Sequence, residues 1–469
     1  MSAPLWTASE VAAATQGETH GDFTADGVTF DSREVGPGDL FIALKGEATN
    51  GHRFLDQAFG AGAAGAVASE PCDGPHVRVA DTMAALEALA RAARSRMRGK
   101  VIGVTGSVGK TGTKEALYAC LDRSMRGEVH RSVKSYNNHT GVPLSLSRMP
   151  ADMRAGIFEM GMNHAGELAA LTRLVRPHVA IVTAIAPAHR AHFNSVEEIA
   201  DAKGEIFQGL EPGGIAILPY DSPHRERLVA AARPFAERIL TFGFDKAADI
   251  HVQDMIALDR GTLVSLILPD AELTFTLAQP GEHWVSNAMA VIGATWAIGA
   301  DLAAAGLAFA DMPGLAGRGE RSRIAVGADG GEALLIDESY NANPASMEAT
   351  IKLLGQLKAG RRIAVLGEMR ELGDDTPAYH AALAKPLVDA RVDFALLVGT
   401  DMQPLATALE GRIDFAHVPD AGTALESLEA LIAPGDAILI KGSNAVGLSR
   451  LVERLRSRAL VDERTTCST

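Results

Sequence analysis

The chain has 469 residues, of which 47% are hydrophobic and 22% are charged, so several globular domains are expected and disorder is excluded. Its net charge of −14 argues against nucleic acid as a partner. The 3 cysteines match neither a disulfide framework nor a metal site, and no signal-peptide pattern or membrane-spanning run is recognisable. The composition therefore indicates a cytoplasmic protein.

Residues 1–98 are predicted to form a small N-terminal α/β domain. The runs DLFIAL and AGAVAS are apolar and bounded by turn-forming residues, which is typical of strands. A helix is expected to begin after Asp81, and the basic connection RMRGK then leads into the next domain.

Residues 99–316 are predicted to form a central α/β domain with a mostly parallel sheet. Its short apolar runs VIGVTG, GIFEMG, VAIVTAI and GIAILP are typical of strands buried on both faces. Helices are expected at 164–175 and 195–210, the second beginning with a capping box at Ser195. Residues 248–278 alternate apolar and polar, which predicts an antiparallel meander.

Residues 317–469 are predicted to form a Rossmann-like C-terminal α/β domain. Strand-like runs, each followed by a helical pattern, are ALLIDE, RIAVLGE, FALLVG, DFAHV and DAILIKG. No G-x-G-x-x-G loop follows the first of them, so this domain is not expected to bind NAD. The fold class is therefore α/β, with three domains.

The stretch GVTGSVGKTG predicts a phosphate-binding loop between a strand and a helix. Glycines let successive backbone N–H groups turn inward, and the helix N-terminus adds positive potential. Lys110 would neutralise phosphate charge, and the Thr111 hydroxyl would bind Mg²⁺. The full Walker pattern has a glycine where this chain has Val104, but the shorter pattern G-x-x-G-K-T fits. The predicted nucleotide-binding positions here are Gly106, Ser107, Val108, Gly109, Lys110, Thr111 and Gly112.

Three further polar residues follow successive strands of the central domain. Glu159 ends GIFE and could take the magnesium-binding role of a Walker aspartate, while His189 follows the next strand and Lys203 lies on the helix after it. Taken singly, each is more often an ordinary surface or helix residue, and an ammonium group has no lone pair for a metal. Together they matter because ligands of open α/β sheets bind at the carboxyl ends of the strands.

A series of motifs resembles the muramyl-peptide (Mur) ligases, in the same order and over nearly all of the chain beyond residue 99. They are TGSVGKT, FEMGMNHAGE, APAHRAHFNSVEEIADAKGEIF, GEHWVSNAMA, GRGERSR and IDESYNANPASM. The resemblance implies ATP as cosubstrate and Mg²⁺ at two sites. It further implies that Lys203 is carbamylated by CO₂ and holds one Mg²⁺ with His189, while Thr111 and Glu159 hold the other.

The resemblance also assigns residues outside the phosphate loop. It implies nucleotide contacts from Asn287, Arg318, Asp337, Tyr340 and Asn341, and substrate contacts from Ser32, Arg33, Lys45, Asn137, Asn138 and Asn343. The polar residues after Asp337 are equally well explained as turn formers before a helix that starts near Pro344.

Within the family, SYNANPASM and LGEMRELGDDTPAYH resemble the dipeptide-adding ligase, and no DNPR motif is present. The resemblance implies that ATP and UDP-N-acetylmuramoyl-tripeptide form an acyl phosphate, which D-alanyl-D-alanine attacks to give the pentapeptide precursor of peptidoglycan. The expected catalytic residues are Lys110, Glu159, His189, Lys203 and Arg318. The enzyme is expected to be a monomer.

Three alternatives remain at this point. One is a Mur-type ligase that adds the third amino acid, and another is folylpolyglutamate synthase, which lacks the N-terminal domain predicted from residues 30–70. The third is a nucleotide-binding switch that performs no ligation, against which the set Glu159, His189 and Lys203 argues.

Overall fold

The computed structural model describes residues 3–46, 49–187, 193, 195–258, 261–312, 314, 317–326 and 330–465, with side chains described up to residue 457. Three mixed sheets, each mostly parallel, form the framework of this α/β fold. Among the helices of these ranges, none combines the length and apolar character that crossing a bilayer requires.

The first sheet has five strands in the order β2-β7-β6-β5-β4, and only β2 is antiparallel to its neighbour. The helix predicted after Asp81 is confirmed, since the Asp81 carboxylate accepts hydrogen bonds from the first turn of α3. The elements of this region are β1 Trp6–Thr7, α1 Ala8–Thr15, β2 Glu18–His20, β3 Thr24–Ala25, β4 Gly27–Thr29, β5 Asp39–Ile42, α2 Leu55–Gly60, β6 Gly65–Ala68, β7 His76–Arg78 and α3 Thr82–Arg96.

The second sheet has nine strands in the order β16-β15-β14-β13-β12-β11-β8-β10-β9. All neighbours are parallel from β9 to β14, and β14, β15 and β16 form the predicted antiparallel meander. The elements are β8 Lys100–Thr105, α4 Lys110–Ser124, β9 Val129–Arg131, α5 Gly141–Ser147, β10 Ala155–Glu159, α6 Glu167–Val175, β11 Val179–Val182, α7 Val196–Gly204, β12 Ile215–Pro219, α8 Arg225–Ala232, β13 Arg238–Gly243, β14 Ile250–Ala257, β15 Thr262–Ile267, β16 Glu272–Leu277, α9 Glu282–Ala297 and α10 Leu302–Asp311.

Two predicted helices of this region have different bounds in the structure. The helix expected at 164–175 begins at Glu167, after Gly166 with φ 88°. The helix expected at 195–210 is α7 followed by a 3₁₀ turn, Glu205–Gly209, and the Ser195 hydroxyl accepts a hydrogen bond from Glu198 N as an N-cap.

The third sheet has six strands in the order β17-β18-β22-β19-β20-β21, and only β17 is antiparallel. All five predicted strands are present, and β17 is an edge strand that the sequence analysis missed. The elements are β17 Glu320–Val326, β18 Gly331–Glu338, α11 Pro344–Gln356, β19 Arg362–Gly367, α12 Thr376–Ala382, α13 Ala384–Asp389, β20 Phe394–Val398, α14 Gln403–Leu409, β21 Asp414–Val418, α15 Ala421–Leu431, β22 Ala437–Lys441 and α16 Leu448–Thr465.

Hydrogen bonds join the regions around the three sheets. Trp6 Nε1 donates to Ser147 O at 2.8 Å, and the buried Arg94 guanidinium donates to Val175 O at 2.7 Å. Tyr340 OH, beyond the third sheet's β18, lies 2.8 Å from Ser135 Oγ beside the second sheet. The segments that follow β9 and β18 therefore lie side by side.

Candidate active-site cleft

The phosphate loop lies between β8 and α4 as the motif predicts. Gly109 is the N-cap of α4 with φ 88°, a left-handed conformation that favours glycine. Asn287 on α9 packs so closely against Gly109 that a Cβ there would lie 2.6 Å from Asn287 Oδ1. The loop therefore presents its backbone at a helix N-terminus, the position at which proteins bind phosphate.

Glu159 is the polar centre of the site. It is 1% exposed at the end of β10, where it lies opposite Val104 of β8 in the parallel register. Its two oxygens accept hydrogen bonds from Thr111 Oγ1 and Asn137 Nδ2, each at 2.8 Å. A carboxylate and a hydroxyl therefore stand side by side next to the loop, and oxygen atoms of this kind suit Mg²⁺.

Lys110 points back over the loop, and its Nζ donates to Gly106 O at 2.7 Å. Burial lowers the pKa of Lys110, and the nearby carboxylate of Glu159 opposes this effect. The same ammonium group lies close enough to Lys203 to lower the pKa of that residue. Lys110 and Lys203 therefore share one electrostatic environment.

Lys203, in the last turn of α7, is 1% exposed. Burial is the main cause that lowers its pKa well below the ordinary value, and the charge of Lys110 is the second. Its predicted partner His189 lies outside the described residues. Within the described ranges, no group of three or more His, Cys, Asp or Glu side chains is arranged to hold a metal ion.

A cleft of 670 Å³ lies in front of the phosphate loop, a volume typical of small-molecule sites. One wall comes from the second sheet's region and includes Lys110, Glu159 and Asn287. The other comes from the third sheet's region and includes Arg318, whose guanidinium stacks 4.2 Å from the centre of the Tyr340 ring. The predicted residues that line the cleft are Ser107, Val108, Gly109, Lys110, Thr111, Gly112, Asn137, Glu159, Asn287, Arg318, Tyr340, Asn341 and Asn343.

Asp337 and Asn343 are both used within the fold. Asp337 does not line the cleft, because its carboxylate is buried and accepts hydrogen bonds from Gly317 N and from Ser339. Asn343 lines the cleft, but its side chain caps α11 and accepts from Ser346 N at 2.9 Å. The Asn343 side chain is therefore explained by its place at the start of a helix, which was the alternative to a substrate contact.

Two other predicted residues near the loop make internal bonds. Ser107 donates from its backbone N–H to Ala184 O at 2.8 Å and from its hydroxyl to Ala186 O at 2.9 Å. Asn138 does not line the cleft, and its side chain accepts from the backbone of Thr140 and Gly141 before α5. Both residues shape the backbone around the site.

The predicted precursor contacts Ser32, Arg33 and Lys45 lie outside the cleft. Arg33 forms a paired hydrogen bond with the Asp31 carboxylate and thereby holds the pKa of Asp31 at about 2. Glu34, the next residue, is bonded to Lys134 and Tyr136 beside the cleft. The turn that carries Ser32 and Arg33 is therefore joined to the segment that carries Asn137.

Several cleft residues were missed by sequence reasoning. Trp284 packs near Gly112, and His283, whose pKa is lowered by burial, lies beside it. Lys441, at the end of β22, bonds Glu338 Oε2 at 3.3 Å and Asn341 O at 3.0 Å. Position along the strands could have indicated Glu338 and Lys441 as site residues, because they end neighbouring parallel strands of one sheet.

The chain matches three family descriptions along its length. "Mur ligase family, catalytic domain" matches residues 24–96, "Mur ligase middle domain" residues 104–295 and "Mur ligase, glutamate ligase domain" residues 321–444. Curated relatives include the UDP-N-acetylmuramoyl-tripeptide–D-alanyl-D-alanine ligase of Escherichia coli, 34% identical over 96% of this chain and 98% of its own. The enzyme of the same name from Bacillus subtilis is 34% identical over 92% and 93%.

Solved structures give the same similarity. MurF from Acinetobacter baumannii superposes with a TM-score of 0.84 at 31% identity, over 96% of this chain and 99% of its own. MurF ligase from Thermotoga maritima, in complex with ADP, superposes with a TM-score of 0.77 at 25% identity, over 93% and 98%.

Proposed function

The chain belongs to the Mur ligase family, and from this membership and its cleft we propose that it joins D-alanyl-D-alanine to UDP-N-acetylmuramoyl-tripeptide with hydrolysis of ATP. The products are UDP-N-acetylmuramoyl-pentapeptide, ADP and phosphate. The observation that carries the proposal is near-full-length similarity to enzymes of that name, in a chain whose phosphate loop opens on a two-walled cleft.

The chemistry explains why ATP is needed. A carboxylate is a poor acyl donor because its leaving group would be oxide, so the γ-phosphoryl group is first transferred to a carboxylate oxygen. The amine of the dipeptide then forms the C–N bond, the C–O bond to phosphate breaks, and the amine loses a proton. Lys110 and Arg318 lie on opposite walls of the cleft, where their charges would stabilise the transferring phosphoryl group.

The donor set beside the loop fits Mg²⁺. Thr111 Oγ1 and Glu159 Oε2 lie 2.8 Å apart, so a hydroxyl and a carboxylate could both bind one ion. Bound Mg²⁺ would neutralise charge on the phosphate oxygens. Asn137 holds the other carboxylate oxygen and thereby orients Glu159.

Lys203 fits carbamylation because its buried amine favours the neutral form. The neutral nitrogen attacks CO₂, an N–C bond forms and a proton leaves, so that a cation becomes an anion with two oxygen atoms. We propose that this carbamate and His189 hold a second Mg²⁺.

Nucleotide contacts are proposed for Gly106, residues 108–112, Asn287, Arg318, Tyr340 and Asn341, which lie in or beside the cleft. Ser107 and Asp337 would act through the backbone that they hold, since Ser107 bonds Ala184 and Ala186 and the Asp337 carboxylate accepts from the N–H of Gly317, which lines the cleft. Substrate contacts are proposed for Ser32, Arg33, Lys45, Asn137, Asn138 and Asn343. A monomeric enzyme with domain boundaries near 98/99 and 316/317 completes the proposal.

The test is phosphate release by the purified chain with Mg²⁺-ATP and UDP-N-acetylmuramoyl-tripeptide, with D-alanyl-D-alanine present or omitted. The proposal requires release that depends on both substrates and a pentapeptide product by mass. Release with the dipeptide precursor and a diamino acid would support the third-residue ligase, and ATP turnover indifferent to all acceptors would support a nucleotide switch. Lys110→Met is the matched control, since it should abolish release in every case.

A further inference from the structure

The segment that follows β11 makes three hydrogen bonds with the phosphate loop and two with the last residue of β8. Thr183 N donates to Thr105 O at 2.9 Å, and Ser107 bonds Ala184 O and Ala186 O through its N–H and its hydroxyl. The Thr183 hydroxyl donates to Val108 O at 2.5 Å, with Thr105 O further away at 3.2 Å. We call the bonds made by Ser107 and by the Thr183 hydroxyl the loop clasp.

The loop clasp fixes the direction of two peptide groups. In a trans peptide the C=O and the following N–H point in opposite directions. Because the Val108 carbonyl is held by Thr183, the Gly109 N–H points to the other side of the loop. Because the Ser107 N–H is held by Ala184 O, the Gly106 carbonyl points the other way and accepts the bond from Lys110 Nζ.

The clasp is buried and sterically tight. Thr183 is 3% exposed and Ser107 is 6% exposed, so both side chains of the clasp are shielded from water, while Val108 itself is half-buried at the edge of the cleft. A Cβ on Gly106 would clash with Thr183 Oγ1, which explains why the loop needs glycine there. The Gly106 backbone thus packs directly against the Thr183 hydroxyl.

We propose that Thr183 is a positioning residue of the nucleotide site, whose hydroxyl holds the Val108–Gly109 peptide in the phosphate-binding orientation. The inference rests on the proposed function, since it supposes that a nucleotide phosphate binds at this loop. Ser107 acts in the same way, from inside the loop, through bonds that leave neither its N–H nor its hydroxyl proton for the phosphates.

The experiment measures Kd for Mg²⁺-ADP by calorimetry on the full chain and on three variants. Thr183→Val removes the hydroxyl at nearly constant volume, and Thr183→Ser restores it. Thr105→Val is the matched control, because the Thr105 hydroxyl is buried on the adjacent strand and bonds nothing in the part of the chain that the structure describes. The unfolding temperature without ligand is recorded for each variant.

Thr183→Val is expected to weaken ADP binding about fivefold, as for loss of one hydrogen bond to a partly buried carbonyl. The Kd of Thr183→Ser and of Thr105→Val for Mg²⁺-ADP should stay within about twofold of the wild-type value. Unchanged affinity in Thr183→Val, or equal losses in Thr105→Val, would overturn the proposal and leave Thr183 a merely structural residue.

If Thr183→Val does not fold, Ser107→Ala tests the clasp from the loop side, where several-fold weaker ADP binding is expected and unchanged binding overturns the proposal. A wild type that binds ADP but ligates nothing would refute the proposed function and leave the clasp intact. A wild type that binds no adenine nucleotide would refute both.

Discussion

Lys203 is the residue at which burial has the clearest chemical consequence. Its lowered pKa increases the neutral fraction near pH 7, and only the neutral amine reacts with CO₂. We expect protein equilibrated with ¹³C-bicarbonate to show a carbamate carbon resonance that Lys203→Arg lacks. Lys203→Ala should lose activity on the order of 10²-fold, whereas the exposed control Lys246→Ala should not. A wild type without the resonance would contradict the assignment.

The buried His130 should make the stability of the fold decrease in acid. Burial against Phe158 lowers the pKa of His130 to about 4, and its Nε2 bonds Ser145 O at 2.8 Å. Because the folded pKa is below the unfolded value, the contribution to stability is complete above about pH 6.5 and is lost as the pH falls toward 4.

Between pH 7 and pH 4, the free energy of unfolding of the wild type, measured by chemical unfolding, should therefore fall by about 2 kcal/mol because His130 becomes protonated on unfolding. This value is smaller than the full pKa shift implies, because the His130 ring keeps some contact with solvent. His130→Gln retains an N–H donor without the titration, so its pH dependence should be flatter by that amount. Parallel curves for the two proteins would show that His130 does not contribute.

At the residue scale, the sequence could predict those positions whose role follows from a motif. Lys110, Thr111 and Glu159 meet because a loop motif and a strand end both specify the same sheet edge. The sequence could not predict that the Ser107 N–H and hydroxyl would donate hydrogen bonds to Ala184 O and Ala186 O. That outcome depends on which strand lies next to β8, which is a tertiary fact.

At the element scale, the segment 132–138 connects all three regions of the chain. Lys114 on α4 is fully buried, and its Nζ donates to Ser132 O at 3.0 Å and to Lys134 O at 2.6 Å. Lys134 itself has φ 53°, an uncommon conformation for a non-glycine residue. Lys114 therefore holds in place the strained segment that carries Lys134 and Asn137.

Lys114→Met should leave both carbonyls without a donor and lower the free energy of unfolding by about 2–3 kcal/mol. Urea unfolding measures this loss. Lys134→Met is the control, since its ion pair with Glu34 is exposed and should contribute less than about 1 kcal/mol. If the two variants unfold at the same urea concentration, the buried lysine does not hold the segment.

The elements that the sequence predicted well are buried runs such as β8, β19 and β22, whose apolar character comes from burial on both faces. The missed strand β17 reads ERSRIAV, with its first residues exposed or half-exposed at a sheet edge. Such a strand pairs because β18 offers it a free edge, and that partner is not visible in the local sequence.

At the scale of the whole molecule, the candidate site is divided between two walls. Lys110 and Glu159 lie on one wall, while Arg318 and Tyr340 lie on the other, and one direct link between them is the Tyr340–Ser135 hydrogen bond. We expect the walls to close on the bound substrates, because residues on both sides would contact one ATP molecule.

Small-angle scattering with an ATP analogue and the tripeptide precursor should therefore give a smaller radius of gyration than the free chain. Lys110→Met, which should not bind the nucleotide productively, provides the control and should keep the larger radius. An unchanged profile in the wild type would count against closure.

The central claim is that ATP activates a substrate carboxylate, and isotope transfer tests it most directly. The tripeptide precursor is prepared with ¹⁸O in its terminal carboxylate and incubated with the chain, Mg²⁺-ATP and D-alanyl-D-alanine. Because the acyl phosphate loses its bridging oxygen with the phosphate, the account predicts one ¹⁸O atom in each phosphate released and a pentapeptide product. Phosphate without ¹⁸O would mean that water attacked ATP, and would contradict the account.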